Sequence, residues 1–408
     1  MTLRDDALPI HRQQSRAAKE DAVQPPHVMI QQTCIPHYRQ RLFQILTQER
    51  SLRFTCVADL GWFGPYLQVL DKNSRHDIRV RSAKTWRIPL LFRKYLTFQP
   101  GAILYAIRTR PIALIAEGSV YSLTAWILAI YGRLFGMRVL FWGHGIRKFE
   151  HGPKWLLRRL FYRLAAGHLL YSNYAKDLLV QAGLNPEVLH VVHNSLDYDQ
   201  QERIDQQISQ HDIKSWRTSL NVADSEGLVI FTGRLQPEKR LDLLIRAIGQ
   251  LRRHGHAVHA AFIGDGSEKS VLVGIASDEG ITKQVHFLGP VYDERQIGLY
   301  LAASDLAVIP SAAGLSIMHA MAFGTPVLIH DDVTQHGPEW EAVQEGITGF
   351  YYRCNDVADM TAKISEAIFP FPKKQAMAEA CRTVIRERYN PRLHAEKIIR
   401  GVTRSVCR

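Results

Sequence analysis

Short apolar runs alternate with helical patterns along most of the chain. In the first half, apolar runs occupy residues 27–32, 52–58, 112–116, 138–142, 168–171 and 188–192. Between most of them, apolar residues recur on one helical face, as at 40–49, 153–166 and 173–182. Apolar runs without alternation are typical of strands buried on both faces of a parallel sheet. The first half therefore predicts an α/β domain with a parallel sheet.

A second series of apolar runs follows a polar stretch near residues 200–226. These runs lie at 228–232, 258–263, 285–288, 305–309, 326–329 and 350–352. The pattern predicts two doubly wound domains, 25–200 and 227–388, joined by a linker at 201–226. In such sheets ligands bind outside the carboxyl ends of the strands, so we expect the site in the cleft between the domains.

The two ends of the chain and one long apolar segment need separate interpretation. Residues 1–24 are polar and charged and lack the apolar core of a signal peptide, which predicts a disordered tail. Residues 389–408 predict a final helix that can pack back on the N-terminal domain. Residues 112–131 are apolar enough to suggest a membrane span, but Glu117-Gly118-Ser119 interrupts them, and a strand followed by a helix fits better.

Composition and charge narrow the choice of partner. The 408 residues are 46% hydrophobic and 22% charged, which is ordinary for a soluble protein of two domains. The formal net charge of +12 indicates an anionic partner, which could be nucleic acid, an anionic membrane surface or a phosphorylated small molecule. The five cysteines are scattered and form no zinc or disulfide pattern, so we expect a reducing cytoplasm.

The stretch from 311 to 350 joins a small-residue loop to a helix and a strand. Gly314 precedes a run of good helix formers, which predicts a helix whose first residues are Leu315 and Ser316. Gly324 is predicted to end this helix. Free N–H groups and the positive end of the helix dipole make such a loop a candidate anion site, most often for phosphate. An ordinary αβ unit of a parallel sheet is the alternative.

Two cations precede the helix that follows the strand at 228–232. Gly233, Arg234 and Lys239 lie in this loop, and the helix after them has apolar residues on one face. Those residues are Leu241, Leu244, Ile245, Ile248 and Leu251. The two cations could bind a diphosphate and offset the negative charge that develops on it when it leaves. Solvated surface charges are the alternative.

Two further strand ends carry candidate residues. The turn Gly264-Asp265-Gly266 would let a ligand approach the backbone closely, although a plain turn explains two glycines equally well. His144 lies between two glycines after the strand at 138–142, where both ring nitrogens could face a polar ligand. A loop histidine in solvent is its alternative. Residues 193–197, His-Asn-Ser-Leu-Asp, form a polar turn that leads toward the linker.

Taken together, the second half resembles glycosyltransferase family 4, the retaining enzymes of GT-B fold. The resemblance covers 226–352 and rests on TGRLQPEKRLDLLIRAI, FIGDGSEKSVL, VHFLGPV, LAASDLAVIPS and HAMAFGTPVL followed by EAVQEGITGF, in the family's order. It implies two Rossmann-like domains facing each other across a cleft and a nucleotide diphosphate-sugar donor. It also implies that Arg234 and Lys239 bind the donor diphosphate, that His144 contacts the transferred sugar, and that 193–197 is the hinge.

The chain departs from the family at one motif. Most members carry two glutamates separated by seven residues, where this chain has Ser311 and His319. The loop SAAGLSIMHAM resembles a branch with a GNVGLTAMH-type sequence. His319 could hold the donor ribose, because a neutral imidazole donates one hydrogen bond and accepts another. Ser311 supplies no carboxylate, for which Glu339 and Glu341 are candidate replacements, and Glu341 matches a glutamate that many members have.

A metal is not expected to take part. Asp197-Tyr198-Asp199 imitates the DxD motif of the other major glycosyltransferase fold, but a carboxylate pair in a polar turn is usually solvated. Asp331-Asp332 is predicted to be a loop. Cationic side chains and helix dipoles would then do what Mg²⁺ does elsewhere, and no cofactor is predicted.

The N-terminal half is expected to select the acceptor. His37, Tyr38 and Arg39 follow the first strand and resemble the family's acceptor-side loop. The less regular region 59–111 is rich in aromatic and basic residues: Trp62, Phe63, Tyr66, Trp86, Phe92, Tyr95, Lys84, Arg87, Arg93, Lys94, Arg108 and Arg110. The helix at 153–166 adds Lys154, Arg158, Arg159 and Arg163 beside apolar residues. It suits docking at an anionic lipid interface, or else has a buried stripe and a solvated basic face.

The sequence thus predicts a cytoplasmic, metal-independent GT-B transferase, with peripheral attachment to the inner face of the membrane as an option. It would move a sugar from a nucleotide diphosphate donor, with retention, to a saccharide acceptor that we expect to be lipid-linked. A nucleotide-sugar hydrolase or epimerase and an inactive sugar-binding protein are the alternatives. No helix-turn-helix, RNP-like or zinc module supports nucleic acid as the partner.

Overall fold

A computed structural model describes residues 24–61, 70, 77–90, 95–369 and 374–407. The predicted tail, apart from Gln24, lies outside the described residues. So do six members of the aromatic and basic set: Trp62, Phe63, Tyr66, Phe92, Arg93 and Lys94.

The N-terminal domain is built on a parallel sheet of seven strands. Its strands are β1 (His27–Gln31), β2 (Arg53–Ala58), β3 (Val80–Ser82), β6 (Ala113–Glu117), β7 (Arg138–Gly143), β8 (Gly167–Leu170) and β9 (Leu189–Val191), while β4 (Trp86–Pro89) and β5 (Tyr95–Phe98) form a separate antiparallel pair. The helices are α1 (Gln40–Gln48), α2 (Pro100–Thr109), α3 (Leu123–Phe135), α4 (Gly152–Leu164) and α5 (Asn173–Gln181). The strand order is β3-β2-β1-β6-β7-β8-β9, so the direction of winding reverses between β1 and β6.

The C-terminal domain repeats this plan with six parallel strands. They are β10 (Gly227–Thr232), β11 (Val258–Ile263), β12 (Val285–Gly289), β13 (Leu306–Ile309), β14 (Val327–His330) and β15 (Gly349–Tyr352). Its helices are α8 (Leu241–Arg253), α9 (Lys269–Asp278), α10 (Glu294–Ala302), α11 (Leu315–Ala322), α12 (Val357–Ile368) and α13 (Lys374–Arg388). The order β12-β11-β10-β13-β14-β15 reverses between β10 and β13. Two doubly wound parallel sheets confirm the predicted α/β fold class.

The stretch expected to be a linker is helical. It contains α6 (Tyr198–Asp205) and α7 (Gln210–Ser219), and Ser209 begins α7 with a capping box to Asp212. Trp216 of α7 belongs to the core of the C-terminal domain and stacks on Tyr300 of α10. The polar composition of this stretch therefore reflects helices with one solvated face rather than a bare connection.

The last helix, α14 (Pro391–Val406), lies on the N-terminal sheet. Ala395, Ile398 and Val402 are buried in the same core cluster as Leu42 and Phe43 of α1. The helices α2, α3, α4 and α5 cover the opposite face of that sheet. The apolar segment 112–131 forms β6 and the first part of α3, and among the described residues no helix has the length and apolarity needed to cross a membrane.

Candidate functional site

The carboxyl ends of β10, β11 and β12 are joined by backbone hydrogen bonds. Gly233 N donates to Ile263 O over 2.9 Å, and Gly264 N donates to Gly289 O over 2.8 Å. A Cβ atom built on Gly264 would lie 1.9 Å from Gly233 O, and one built on Gly266 would lie 2.1 Å from Leu235 O. Only glycine fits at either position, so the predicted GDG turn and the Gly233 loop form one unit.

Arg234 and Lys239 both lie in this unit, directly before α8. Lys239 is half-buried in a 3-10 turn, and Arg234 is exposed. Burial lowers the pKa of the Lys239 ammonium, and the charge of Arg234 adds to this effect while Glu238 opposes it. Two cations that repel each other at a helix N-terminus are stabilised by an anion bound between them. The five predicted apolar residues of α8 are all buried, which fixes the helix behind the cations.

The loop before α11 lies at the reversal between β10 and β13. Leu315, Ser316 and His319 share the partly exposed side of α11, while Ile317 and Met318 are buried. The hydroxyl of Ser311 is buried and has no hydrogen-bond partner among the described residues. Buried polar atoms are nearly always paired in proteins, so this hydroxyl is suited to contact a ligand.

His319 lies beside a carboxylate that the sequence did not indicate. Its Nε2 atom is 3.1 Å from Oε1 of Glu294, the first residue of α10, but the nitrogen has no aligned hydrogen-bond acceptor among the described residues. Gln201 donates a hydrogen bond to the same Oε1 over 3.0 Å. Burial would raise the pKa of Glu294, but His319 and Gln201 outweigh it and the pKa is lowered. An ionised carboxylate therefore lies next to His319.

The two candidate replacement glutamates have different surroundings. Glu339 is buried, and its Oε1 accepts a hydrogen bond from Asn194 Nδ2 over 2.9 Å. A Cβ atom on Gly314 would lie 3.7 Å from its Oε2, so the carboxyl is next to the start of α11. Burial raises the pKa of Glu339, against the opposing effects of Asn194 and of the charges of Arg39 and Arg147. Glu339 thus lies next to the predicted phosphate loop.

Glu341 is used at the contact between the domains. It accepts hydrogen bonds from the backbone N–H groups of Asn173 and Tyr174 over 3.0 and 2.5 Å, at the start of α5. A carboxylate at a helix N-terminus is stabilised by the free N–H groups and the helix dipole. Glu341, which the sequence predicts to bind the donor, therefore also holds the C-terminal domain against the N-terminal domain, and its contact with the donor stays a prediction.

A cavity of about 370 Å³ opens at the carboxyl ends of the N-terminal strands. Tyr38, Glu117, Ser119, His144 and Tyr171 are among its lining residues. His144 is exposed to solvent at the mouth of the cavity, and the centre of its ring lies 5.0 Å from the centre of the Tyr171 ring. Burial, with help from the charges of Arg147 and Arg39, lowers the pKa of His144 to about 4. The imidazole is therefore neutral near pH 7 and can donate one hydrogen bond and accept another.

The three residues of the predicted acceptor loop are not equivalent. His37 is exposed and close enough to influence the charge of Glu294, and Tyr38 lines the cavity. Arg39 is only 6% exposed, because its guanidinium donates to Gln32 and to the Tyr171 hydroxyl and lies 4.7 Å from the centre of the Trp142 ring. Arg39 thus forms the floor of the cavity, where it fixes Tyr171.

Glu117 is a second acidic residue that the sequence did not single out as functional. It ends β6, and Oε2 accepts a hydrogen bond from the Thr33 hydroxyl over 2.5 Å. Burial raises the pKa of its carboxyl. The available signal was its position, since β6 lies at the reversal of the N-terminal sheet where ligands are expected.

The aspartates of the DxD-like sequence are engaged elsewhere. Asp197 caps α6 by accepting from Gln200 N, and Asp199 accepts from Arg41 Nε and Nη2 over 3.0 and 2.8 Å. Arg392 of α14 lies 3.3 Å from the same carboxylate. Asp199 therefore holds α1, α6 and α14 together. Within the part of the chain that the structure describes, no three acidic, cysteine or histidine side chains are arranged to hold a metal ion.

The C-terminal domain matches a known protein family, and several known enzymes resemble part of the chain in sequence. Residues 212–384 match the family described as glycosyl transferases group 1. D-inositol 3-phosphate glycosyltransferase of Nocardia farcinica is 37% identical over 153 residues, which are 35% of this chain and 33% of that protein. The enzyme of the same name from Gordonia bronchialis is 32% identical over 235 residues, 55% of this chain and 46% of its own. The chain thus spans less than half the length of either relative.

Solved structures resemble nearly the whole chain in fold. Anabaena HepE in complex with UDP superposes with a TM-score of 0.69 at 21% identity, covering 93% of this chain and 99% of its own. The lipopolysaccharide outer core galactosyltransferase WaaB superposes with a TM-score of 0.66 at 14% identity, covering 92% and 99%. At these identities the likeness shows the GT-B fold, which confirms the predicted architecture.

Proposed function

We propose that this protein is a retaining glycosyltransferase of family 4 that transfers a sugar from a nucleotide diphosphate-sugar to a saccharide acceptor. The single observation that carries the proposal is the pair Arg234 and Lys239, held before α8 by the glycine unit at the reversal of the C-terminal sheet. The match of residues 212–384 to glycosyl transferases group 1 supports it. HepE, a neighbour in fold, was solved with UDP-glucose, which makes that compound the first donor to test.

The proposed chemistry assigns one task to each side of the cleft. The bond between the anomeric carbon and the diphosphate oxygen breaks, and Arg234 and Lys239 offset the charge that develops on the leaving group. The acceptor hydroxyl attacks the anomeric carbon from the face that the diphosphate leaves, and its proton passes to the departing diphosphate. Neutral His144 hydrogen-bonds the transferred sugar, and His319 holds the ribose beside Glu294.

We propose that the acceptor occupies the N-terminal cavity and is lipid-linked. Tyr38 and Ser119 line this cavity with hydroxyl groups that a saccharide can hydrogen-bond, and the exposed ring of His144 lies beside them. The protein would work in the cytoplasm at the inner face of the membrane. The transfer would need no divalent cation, because the charge on the leaving diphosphate is offset by two side-chain cations.

The test is a donor screen followed by turnover. UDP-glucose and other nucleotide sugars are added to the protein, and thermal shift identifies which of them stabilise it. The selected donor is then incubated with and without a lipid extract, and the product is analysed by NMR for its anomeric configuration. The proposal expects nucleotide release that depends on an acceptor and a product that retains the donor's configuration. Equal donor consumption without acceptor would indicate a hydrolase or epimerase, and stabilisation without turnover would indicate a binding protein.

A further inference from the structure

The outer surface of the N-terminal domain is unusually apolar. Of nineteen large apolar side chains that are exposed in the described part of the chain, fifteen lie before residue 200. Nine of these are on α2, α3, α4 and the segment after α2, a surface called here the α2–α4 face: Leu104, Ile107, Ile112, Ile130, Leu134, Phe135, Leu156, Leu157 and Leu160. These helices cover the same face of the sheet, because Ala106, Leu128 and Phe161 belong to one core cluster.

Two parts of this face are more apolar than helix packing requires. Leu134 and Phe135 are 73% and 68% exposed at the end of α3. On α4, Leu156 and Leu160 are one turn apart and exposed, while Phe161 and Tyr162 are buried on the other side. A surface helix of a globular protein normally presents polar residues outward, so exposed apolar groups on three neighbouring helices mark a binding surface.

The segment that contains this face carries a large excess of positive charge. Residues 100–166 contain ten lysines and arginines but only two acidic residues. Of the acidic pair, Glu117 lies in the acceptor cavity, and Glu150 is within 3.0 Å of both Lys154 and Arg158. The segment therefore carries a formal charge of +8 of the total of +12. Positive charges around an exposed apolar surface indicate a partner that has an anionic surface and an apolar interior.

The arginines are distributed differently from the sequence prediction. Arg158 is turned toward Glu150 and lines the acceptor cavity, whereas Arg163 is exposed. The guanidinium of Arg133 donates to the carbonyl oxygens of Arg163 and Leu164, which joins the ends of α3 and α4. A cavity of about 660 Å³ at this edge has Arg133, Arg138 and Arg163 in its lining. The edge thus offers cations around a space large enough for lipid headgroups.

We propose that the α2–α4 face docks on an anionic lipid bilayer, with Leu134, Phe135 and the exposed leucines of α4 entering the acyl boundary. A second copy of the chain is a poor occupant, because a symmetric contact would bring the two excess positive charges together. Leu134 and Phe135 lie near the amino ends of the strands, whereas the acceptor cavity lies at their carboxyl ends. The helix α4 runs between these two edges and supplies Arg158 to the cavity, so a bilayer that lies along α4 would extend to the edge of the cavity. This last link to a lipid-linked acceptor rests on the proposed function, whereas the docking surface does not.

The test is co-sedimentation of the full chain with vesicles of phosphatidylcholine alone or mixed with phosphatidylglycerol. Wild-type protein is expected to bind the anionic vesicles more tightly, and less so as salt is raised. The double variant Leu134→Gln/Phe135→Gln should bind at least about tenfold more weakly, because two large apolar groups no longer insert. Arg108→Gln and Arg163→Gln should each weaken binding roughly fivefold. Val271→Gln/Val273→Gln, which alters exposed residues of α9, is the matched control and should bind like the wild type.

Three outcomes would overturn the docking surface. These are equal binding by wild type and Leu134→Gln/Phe135→Gln, no preference for anionic vesicles, and a dimer in light scattering that the double variant abolishes. Thermal shift with all the nucleotide sugars of the donor screen, in the absence of vesicles, tests donor binding separately. Normal vesicle binding without donor binding would therefore reject the proposed function and leave the docking surface supported.

Discussion

The imidazole of His319 lies beside the carboxylate of Glu294, with Nε2 and Oε1 3.1 Å apart. The resemblance drawn from the sequence leads us to expect a glutamate at the position of His319. Glu294 comes from the start of the neighbouring helix α10, and it remains ionised because His319 and Gln201 outweigh the effect of burial on its pKa. A carboxylate is therefore present at this place although the motif lacks it.

We predict that His319→Ala raises the donor KM roughly tenfold and lowers kcat less. A ribose contact made equally in the ground state and the transition state contributes uniform binding. Glu294→Gln should raise KM in the same direction, because it removes the charge beside the imidazole. His319→Glu should keep measurable activity. Steady-state kinetics with varied donor measure all three. If His319→Ala folds normally and leaves both constants unchanged, His319 is a packing residue and the ribose assignment fails.

The glycine unit below the two cations gives a prediction about stability. Gly264→Ala should lower the free energy of unfolding by roughly 2–4 kcal/mol and weaken donor binding. The new Cβ atom would overlap Gly233 O, and the backbone φ of 140° is strained for alanine. Thermal unfolding and donor titration measure the two effects. Gly274→Ala is the matched control, since nothing lies within 4 Å of its Cβ and alanine favours the helix. Similar behaviour of both variants would show that the close approach is unimportant.

Turnover should survive an excess of EDTA. In the proposed chemistry two side-chain cations offset the charge on the leaving diphosphate, and Asp199 is held by Arg41 and Arg392. Nucleotide release is measured before and after dialysis against the chelator, with a cation-dependent transferase treated in parallel. Loss of activity that Mg²⁺ or Mn²⁺ restores would contradict the proposed chemistry and make Asp197 and Asp199 the first residues to substitute.

Acid should destabilise the protein before its carboxylates titrate. Burial lowers the pKa of His27, His168, His193, His286 and His336 to about 4 from an ordinary value of 6.5. The unfolded chain therefore takes up protons first, so stability is lost as pH falls from about 6.5 toward about 4. His168→Leu should remove about 2 kcal/mol of the loss between pH 7 and pH 5. Thermal unfolding measured across this pH range tests the prediction, with the exposed His254→Gln as the control variant. If stability falls with pH as steeply in His168→Leu as in His254→Gln, the prediction is wrong.

The architecture could be predicted because its signals are local. Runs such as 258–263 are apolar except for His259, and the structure places β11 at those residues. The pair β4 and β5 was missed because β4 is exposed along its length and has no apolar pattern. The helices α6 and α7 were missed because Tyr198 and Trp216 are too few to set a period.

The site could be predicted only in part, because contacts between distant segments leave no local signal. The loops around Arg234 and Gly264 carry glycines that the close approach of two backbones requires, and these were visible in the sequence. Glu294 lies 25 positions before His319 in an ordinary helix start, and nothing in the sequence joins the two. Arg39 was expected to face the acceptor, but its burial beneath the cavity depends on Trp142 and Tyr171.

The most direct test of the central claim compares Arg234→Ala and Lys239→Ala with wild type in kcat/KM for the donor selected by thermal shift. Each substitution removes a charge-assisted contact to the leaving diphosphate, which should cost about 2–4 kcal/mol of transition-state stabilisation, or a fall of roughly 10²–10³. Arg246→Ala, which alters an exposed arginine of α8 that pairs with Glu279, is the matched control and should keep full activity. Wild-type kcat/KM in either loop variant, with its fold intact, would contradict a diphosphate site at this loop and with it the proposed function.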